Sequence, residues 1–238
     1  MDQWLEEIRA ALPELVVYQQ EPMKKHTTFR VGGSADLYVC PKKQELPVIL
    51  GLAKKKGLAV TVIGNGSNLL VGDKGFRGAI IQLYKSMGTF QVEGNQITAQ
   101  AGCSLAQIAN AALDAALTGF EFAAGIPGTL GGAVVMNAGA YGGEMKDVLT
   151  SVRVMTEEGE IMELPAEELG LGYRTSIIPE KRYIVLGAVI SLTEGKKEEI
   201  KAQMDDLRQK RVSKQPLEYP SAGSTFTVSY THLTLPTK

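Results

Sequence analysis

Apolar and polar positions alternate along this chain in two distinct periods, and the switches between them outline its elements. Trp4, Leu5, Ile8 and Leu12 recur at helical spacing and predict an amphipathic opening helix. Asp36 to Cys40 reads as a strand. Glu45 to Lys56 reads as a helix with Pro47 in its first turn, lysines at its C-terminal end and Gly57 as the stop, and β-branched Val60 to Ile63 as the next strand. A β-α-β unit is therefore expected over about residues 36–64. Further strands are predicted at Gly78–Leu83 and on either side of Gly94-Asn95, a hairpin signal joining Phe90–Glu93 to Gln96–Gln100. Ser104-Leu-Ala-Gln107 has the form of a capping box opening an Ala-rich helix to Leu117. Beyond a small-residue stretch from Ala123 to Gly143, a second hairpin is predicted from Val152–Thr156 and Glu160–Leu164, then an apolar strand from Tyr183 to Leu192. A charged helix from Lys196 to Arg211 carries Ile200, Met204 and Leu207 on one face, and Pro216 and Pro220 mark a loop after it. There is no internal repeat or low-complexity tract. The pattern suggests two α+β lobes with a boundary near residue 78 and a helix leading out of the second.

Composition narrows the function classes. The 238 residues are 44% hydrophobic and 21% charged, a globular balance, and a formal net charge of -1 gives no basic surface for nucleic acid. Two cysteines (Cys40, Cys103) cannot build a disulfide framework, and with two histidines (His26, His232) they form no metal-ligand spacing, so no metal is expected. The acidic, amphipathic N-terminus is unlike a signal peptide, and no apolar run approaches the roughly 20 residues of a spanning helix. The expectation is a cytoplasmic protein, monomeric and not membrane-bound. The unusual figure is 26 glycines, about 11% against the usual 7%.

Those glycines concentrate in segments with chemical potential. Ile63-Gly-Asn-Gly-Ser-Asn68 follows a strand directly. Gly64 and Gly66 let backbone approach a ligand, and free N–H groups with the Ser67 hydroxyl and Asn68 amide could donate to a pyrophosphate. The segment lacks the third glycine of the Rossmann fingerprint and the Gly-Lys-Ser/Thr of a P-loop, and a plain tight turn is the competing reading. In the second segment Gly125, Gly128, Gly131 and Gly132 open the backbone, Pro127 stiffens it, and Asn137 supplies a donor and an acceptor. A close-packed crossing of backbone on backbone explains it equally well alone. Two such segments in a carboxylate-poor setting suit a dinucleotide better than a metal. Tyr173-Arg174 is either a surface salt-bridge pair or a guanidinium fork for a substrate carboxylate with tyrosine beside it. Ser221 and Ser224 flank a turn. With no catalytic histidine in sight a Ser-His-Asp hydrolase is disfavoured, whereas a positioned serine in a dry site could donate a proton.

Taken in order, five pieces resemble the UDP-N-acetylenolpyruvoylglucosamine reductase family: Thr27-Thr-Phe-Arg-Val-Gly-Gly33, Ile63–Leu70, Gly125–Gly132 with Met136–Tyr141, Tyr173-Arg-Thr-Ser176, and Ser213-Lys-Gln-Pro216 running into Ser221–Phe226. The resemblance covers about residues 15–226, and the short connection from Tyr173 to Tyr183 is similar to the subtype without a substrate-capping tyrosine loop. It implies an α+β fold: two FAD-binding lobes of the vanillyl-alcohol-oxidase (PCMH) type at 1–77 and 78–195, then the start of a substrate domain at 196–226. It implies bound FAD, NADPH as hydride donor and a UDP-sugar substrate whose enolpyruvyl ether is reduced in peptidoglycan precursor synthesis.

Carried onto this sequence, the family pattern would place Ile63, Gly64, Asn65, Gly66, Ser67 and Asn68 on the FAD, with Gly125, Ile126, Pro127, Gly128, Gly131, Gly132, Asn137 and Ala138. Arg174 would stabilise charge developing at the substrate carboxylate, and Ser224 would protonate the adjacent carbon. Tyr173 would line the substrate site, and Arg211 and Lys214 would meet the UDP phosphates. The competing expectations are another flavin-linked oxidase of the same fold, which the Tyr-Arg and Ser-Ala-Gly-Ser pieces oppose, and a flavin-binding module without activity. The family pattern continues well past Phe226 and includes a glutamate that has no counterpart here. Residues 227–238 do not resemble that continuation and are expected to be a truncation or frame artefact, so the chain as written is expected to be catalytically impaired and prone to aggregate.

Overall fold

The computed structural model describes residues 2–223. Helix α1 (Asp2–Ala11) leads into strand β1 (Val17–Pro22), β2 (Ser34–Val39), α2 (Leu46–Lys55), β3 (Val60–Ile63) and β4 (Phe76–Gln82). These strands form a four-stranded sheet in the order β1-β2-β4-β3. Strand β4 runs parallel to both β2 and β3, so the expected β-α-β unit is present with β4 inserted between its strands. All but the first residue of β2 are buried, as suits a strand covered on both faces. Leu37, Val39, Ala79 and Ile81 face α1 and α2 through Trp4, Ile8, Leu46 and Ile49. Tyr38, Ala35, Ile63 and Ile80 face the other way, onto Met23, Leu69, Val71 and Phe76.

The boundary expected at residue 78 falls inside β4, and the first sheet extends through Gln82. Gly78, read as the first residue of the strand, sits inside it and serves a local need. Its φ is 143°, a Cβ there would strike the Ala59 carbonyl, and its N–H donates 3.1 Å to the buried Asp36 carboxylate. Arg77 and Gln20 complete the partners of Asp36 at 2.7 and 3.2 Å. Strand β1 escaped the sequence reading because its residues are polar and mostly exposed at a sheet edge.

The second sheet is antiparallel, in the order β11-β10-β12-β6-β5, from β5 (Phe90–Glu93), β6 (Gln96–Gln100), β10 (Leu149–Met155), β11 (Ile161–Pro165) and β12 (Ile184–Ser191). Both predicted hairpins are present. Helix α3 (Leu105–Asp114) begins on the expected capping box. Ser104 Oγ accepts the Gln107 N–H at 3.2 Å, and the Gln107 side chain accepts the Ser104 N–H at 3.0 Å. The helix stops short of Leu117 because Ala116 turns left-handed (φ 55°) and Leu117–Thr118 (β7) pairs with Thr193–Glu194 (β13). The long small-residue stretch holds helix α4 (Leu130–Val135) and a tiny hairpin of β8 (Gly139–Ala140) and β9 (Gly143–Glu144).

One continuous hydrophobic core joins the sheets, holding Leu37 and Ile81 from the first and Ile97, Val152 and Ile190 from the second. Helix α5 (Lys197–Lys214) lies on the outside, with Ile200 buried, Met204 half-buried, and Lys197 paired to Asp114 at 2.9 Å. It extends three residues past the expected Arg211, and its acidic first turn and basic last turn suit the helix dipole.

Candidate cofactor and substrate site

Four of the sequence segments meet at one place. The turn after β3 and the loop before α4 touch directly: Asn65 Nδ2 donates 3.1 Å to the Pro127 carbonyl, and a Cβ on Gly64 would run into the Thr129 hydroxyl. Gly66 sits at φ 71°, a Cβ there would strike the His26 carbonyl, and its own carbonyl accepts the Thr28 N–H at 3.1 Å. Thr28 in turn binds the last described segment, donating its hydroxyl to the Ser221 carbonyl at 2.5 Å and accepting the Ser221 N–H at 3.2 Å. Gly223 lies against the Asn68 side chain. Ser224 and residues 225–238, including His232, lie outside the described residues.

The glycines divide by what surrounds them. Gly64, Gly66 and Gly131 permit close packing of protein on protein, as a tight turn or crossing requires; a Cβ on Gly131 would come 2.9 Å from the Ala101 methyl. Gly128 and Gly132 are different. A Cβ there would make only ordinary van der Waals contact, at 3.7 and 3.8 Å, and Gly132 is exposed while Gly128 is half-buried, so a ligand can approach this backbone without displacing protein. On the facing turn, none of the N–H groups from Asn65 to Asn68 donates to a backbone acceptor among the described residues. A run of unspent donors on a glycine turn beside open glycine backbone fits an extended ligand carrying a pyrophosphate. Arg211 also reaches this wall, its Cδ being 3.4 Å from where a Gly125 Cβ would stand, whereas Lys214 ends α5 exposed to solvent.

Beside this cradle is a rim built differently. Residues Gly172–Thr175 form a tight turn closed by two backbone hydrogen bonds (3.2 and 3.4 Å), with Tyr173 and Arg174 at its tip. Tyr173 is 70% exposed. Arg174 is left-handed (φ 53°), uncommon for a residue with a side chain, and its Nη2 donates 3.3 Å to the Gly139 carbonyl. Ser176 anchors the turn's base by donating to the Val135 carbonyl at 2.7 Å. On the facing β8-β9 hairpin, Tyr141 and Gly142 both have positive φ, 53° and 91°, as a two-residue type I′ connection requires.

Asn137 stands between rim and cradle, 2% exposed and itself left-handed (φ 39°). Sequence reasoning placed its side chain on the cofactor. In the structure its Nδ2 donates to Glu144 Oε2 (2.6 Å) and to the Gly172 carbonyl (3.0 Å), and its Oδ1 accepts the Lys146 N–H (2.9 Å). The amide is spent inside the protein. Glu144 uses its other oxygen on Lys146 Nζ at 2.6 Å, and that hydrogen bond raises the lysine pKa above its ordinary value.

Thr28, Thr129, Glu144 and Gly139 carry part of this architecture, and sequence reading did not assign them to the site. Thr28, Thr129 and Gly139 stand in quoted segments without a role of their own, and Glu144 lies outside every motif. A hollow of about 430 Å³ lined by Tyr18, Glu21, His26, Tyr38 and Cys40 adjoins the cradle only through the His26 backbone and contains none of the expected site residues. Among the described residues there is no cluster of His, Cys, Asp or Glu able to hold a metal ion, and no helix long and apolar enough to cross a membrane.

Known proteins resemble this chain in sequence and in fold. A family model described as an FAD binding domain matches residues 35–165, which contain both glycine segments, in line with the expected FAD. A UDP-N-acetylenolpyruvoylglucosamine reductase of Agathobacter rectalis is 53% identical over 235 residues, covering 94% of this chain and 75% of that protein. The one from Clostridioides difficile is 52% identical over 207 residues, covering 87% and 68%. Among solved structures, UDP-N-acetylenolpyruvylglucosamine reductase from Thermus caldophilus superposes with a TM-score of 0.76 at 34% identity, over 90% of this chain and 74% of that one. A 4-ethylphenol oxidase from Gulosibacter chungangensis (TM-score 0.61, 16% identity, 81% of this chain and 42% of that one) shares the fold alone. The α+β, two-lobed oxidase-type fold expected from the sequence is therefore the fold observed.

Proposed function

The chain belongs to the UDP-N-acetylenolpyruvoylglucosamine reductase family, and from that premise we propose that it holds FAD in the glycine cradle and reduces the enolpyruvyl ether of a UDP-sugar with NADPH. The observation that carries this reading is the meeting of two unlike surfaces: open glycine backbone with unspent N–H donors, and beside it a cationic turn held by the same α4–β9 segment. The Asn65–Asn68 turn would take the pyrophosphate, and the Gly125–Gly132 loop would lie along the flat part of the cofactor. Bound there, FAD supplies hydride, drawn from NADPH, to the vinyl carbon remote from the substrate carboxylate.

The chain's own residues then manage charge. As the vinyl carbon gains hydride, negative charge moves toward the carboxylate in an enediolate-like arrangement. Arg174 is held in a left-handed turn and exposed at its guanidinium, so it would meet that carboxylate by exchanging one hydrogen bond. Its bond to Gly139 is long and to a neutral acceptor, and a carboxylate would replace it with a stronger, charge-assisted one. Tyr173, beside it on the turn, would line the substrate's path. Arg211 would face the UDP phosphates from the cradle wall, with Lys214 one turn further along α5. Ser224 would deliver the proton to the carbon next to the carboxylate, and the Thr28–Ser221 clasp holds the segment leading to it.

The test is direct. The purified chain is expected to show an oxidised-flavin absorbance spectrum that survives desalting, to bleach with NADPH, and to recover its colour anaerobically on adding the enolpyruvyl UDP-sugar. A folded, colourless protein that takes up no FAD would sink the reading. Flavin that NADPH bleaches and the enolpyruvyl ether fails to reoxidise would leave a flavin-binding chain without this activity.

A further inference from the structure

We infer that Asn137 is a positioning residue, whose buried amide clamps the Arg174 turn to the β8-β9 hairpin and so sets where the guanidinium stands. The inference rests on the reading of Arg174 as the group that meets the substrate carboxylate. Three residues with side chains adopt left-handed backbone in this small region: Asn137, Tyr141 and Arg174. Each such conformation costs roughly 1–3 kcal/mol and persists only where its surroundings over-determine it. Asn137 is the common tie. One amide hydrogen goes to the Gly172 carbonyl at the base of the Arg174 turn, and the other to Glu144 at the end of the hairpin whose Gly139 carbonyl accepts from Arg174. The amide oxygen takes the Lys146 N–H, so both donors and one acceptor lone pair of the side chain are engaged within the protein.

The arrangement also explains the residue type. Asparagine tolerates φ near 40°, and only an amide offers two donors and an acceptor from one planar group. Glu144 is held by Lys146 Nζ at 2.6 Å and fixes the amide in the orientation that points its second hydrogen at Gly172. Aspartate at 137 would keep the shape and the backbone preference while turning both donors into acceptors. It would then face two acceptors, the Glu144 carboxylate and the Gly172 carbonyl.

The test uses Asn137→Asp and, in case that variant folds poorly, the swap Asn137→Asp/Glu144→Gln. The swap restores the 137–144 bond with donor and acceptor exchanged and leaves only the Gly172 bond unmade. The first readout is limited trypsin digestion of the full chain, followed by mass spectrometry. Freed of the clamp, the Arg174–Thr175 bond is expected to be cut about tenfold faster, the scale of one lost buried hydrogen bond, with other sites unchanged. The second readout is binding of the enolpyruvyl UDP-sugar, followed by perturbation of the bound flavin spectrum. Affinity is expected to fall about tenfold in the swap variant and to show no further fall when Arg174→Ala is already present, with flavin retention unaltered.

Unchanged cleavage at Arg174 overturns the inference. So does a loss of affinity that persists undiminished in the Arg174→Ala background, or a loss of flavin without faster cleavage, which would make Asn137 a cofactor contact. If the parent chain retains flavin but binds no such sugar, the functional reading fails instead, and the digestion still decides whether Asn137 holds the turn.

Discussion

The cradle and the rim hold their turns by opposite means. In the cradle, Gly66 occupies left-handed backbone because it lacks a side chain, and nothing else need be strained. At the rim, Arg174, Tyr141 and Asn137 occupy the same region of backbone space with side chains in place, and hydrogen bonds from Asn137, Arg174 and the Gly172–Thr175 pair hold them there. The difference teaches what each surface is for. A turn that must lie close against neighbouring backbone discards its side chain. A surface that must present a charged group keeps the side chain and spends stability on its orientation.

That contrast can be broken by substitution. The largest effect is expected at Gly66→Ala. Left-handed backbone and collision with the His26 carbonyl together should cost roughly 2–5 kcal/mol. A chemical-unfolding midpoint should drop accordingly, and retained flavin with it. Arg174→Ala should leave flavin and stability near the parent, while reoxidation of reduced flavin by the enolpyruvyl ether slows about 10²–10³-fold, as for loss of one preorganised charge-stabilising donor. Stopped-flow absorbance separates the two half-reactions, and equal slowing of both would erase the distinction drawn here.

Arg174→Gly sharpens the comparison. Without a Cβ the left-handed turn carries no strain, so this variant should be about 1 kcal/mol more stable than Arg174→Ala while sharing its chemical defect. A glycine variant no more stable than the alanine one would mean the rim stores no strain.

The smallest effect concerns the margin of the cradle. The hydrogen bond from His26 holds the Glu21 carboxyl below the usual carboxylate range. A depressed carboxylate pKa adds stability above the unfolded value, and that share disappears as pH falls through the folded value. Glu21→Gln should therefore lower the melting temperature slightly near pH 7 and flatten its fall below about pH 4.5, which a calorimetric pH series would detect.

The cradle was legible from sequence because its signal is compositional. Glycine at 64, 66, 128 and 132 after a β-branched strand, or around a proline, marks a special backbone whatever lies nearby. Both hairpins and the Ser104 capping box were legible for the same reason, since each is a short-range pattern. The rim was half legible. The Tyr173-Arg174 pair stood out, but the role of Asn137 depends on partners 7 and 35 residues away, and no local pattern encodes which way an amide turns. The boundary near 78 fell inside a strand because nothing local shows that Phe76–Gln82 inserts between β2 and β3, a placement fixed by pairing with distant strands.

The clasp between Thr28 and Ser221 joins residues 193 apart in sequence. During synthesis a chain emerges at about 5–20 residues per second, N-terminal end first. The glycine turn, the α4 loop and the Arg174 turn can all be made and packed while Thr28 still lacks this partner. The site therefore has a birth order: its phosphate-facing wall exists first, and its closing edge arrives only when nearly the last described residue has left the ribosome.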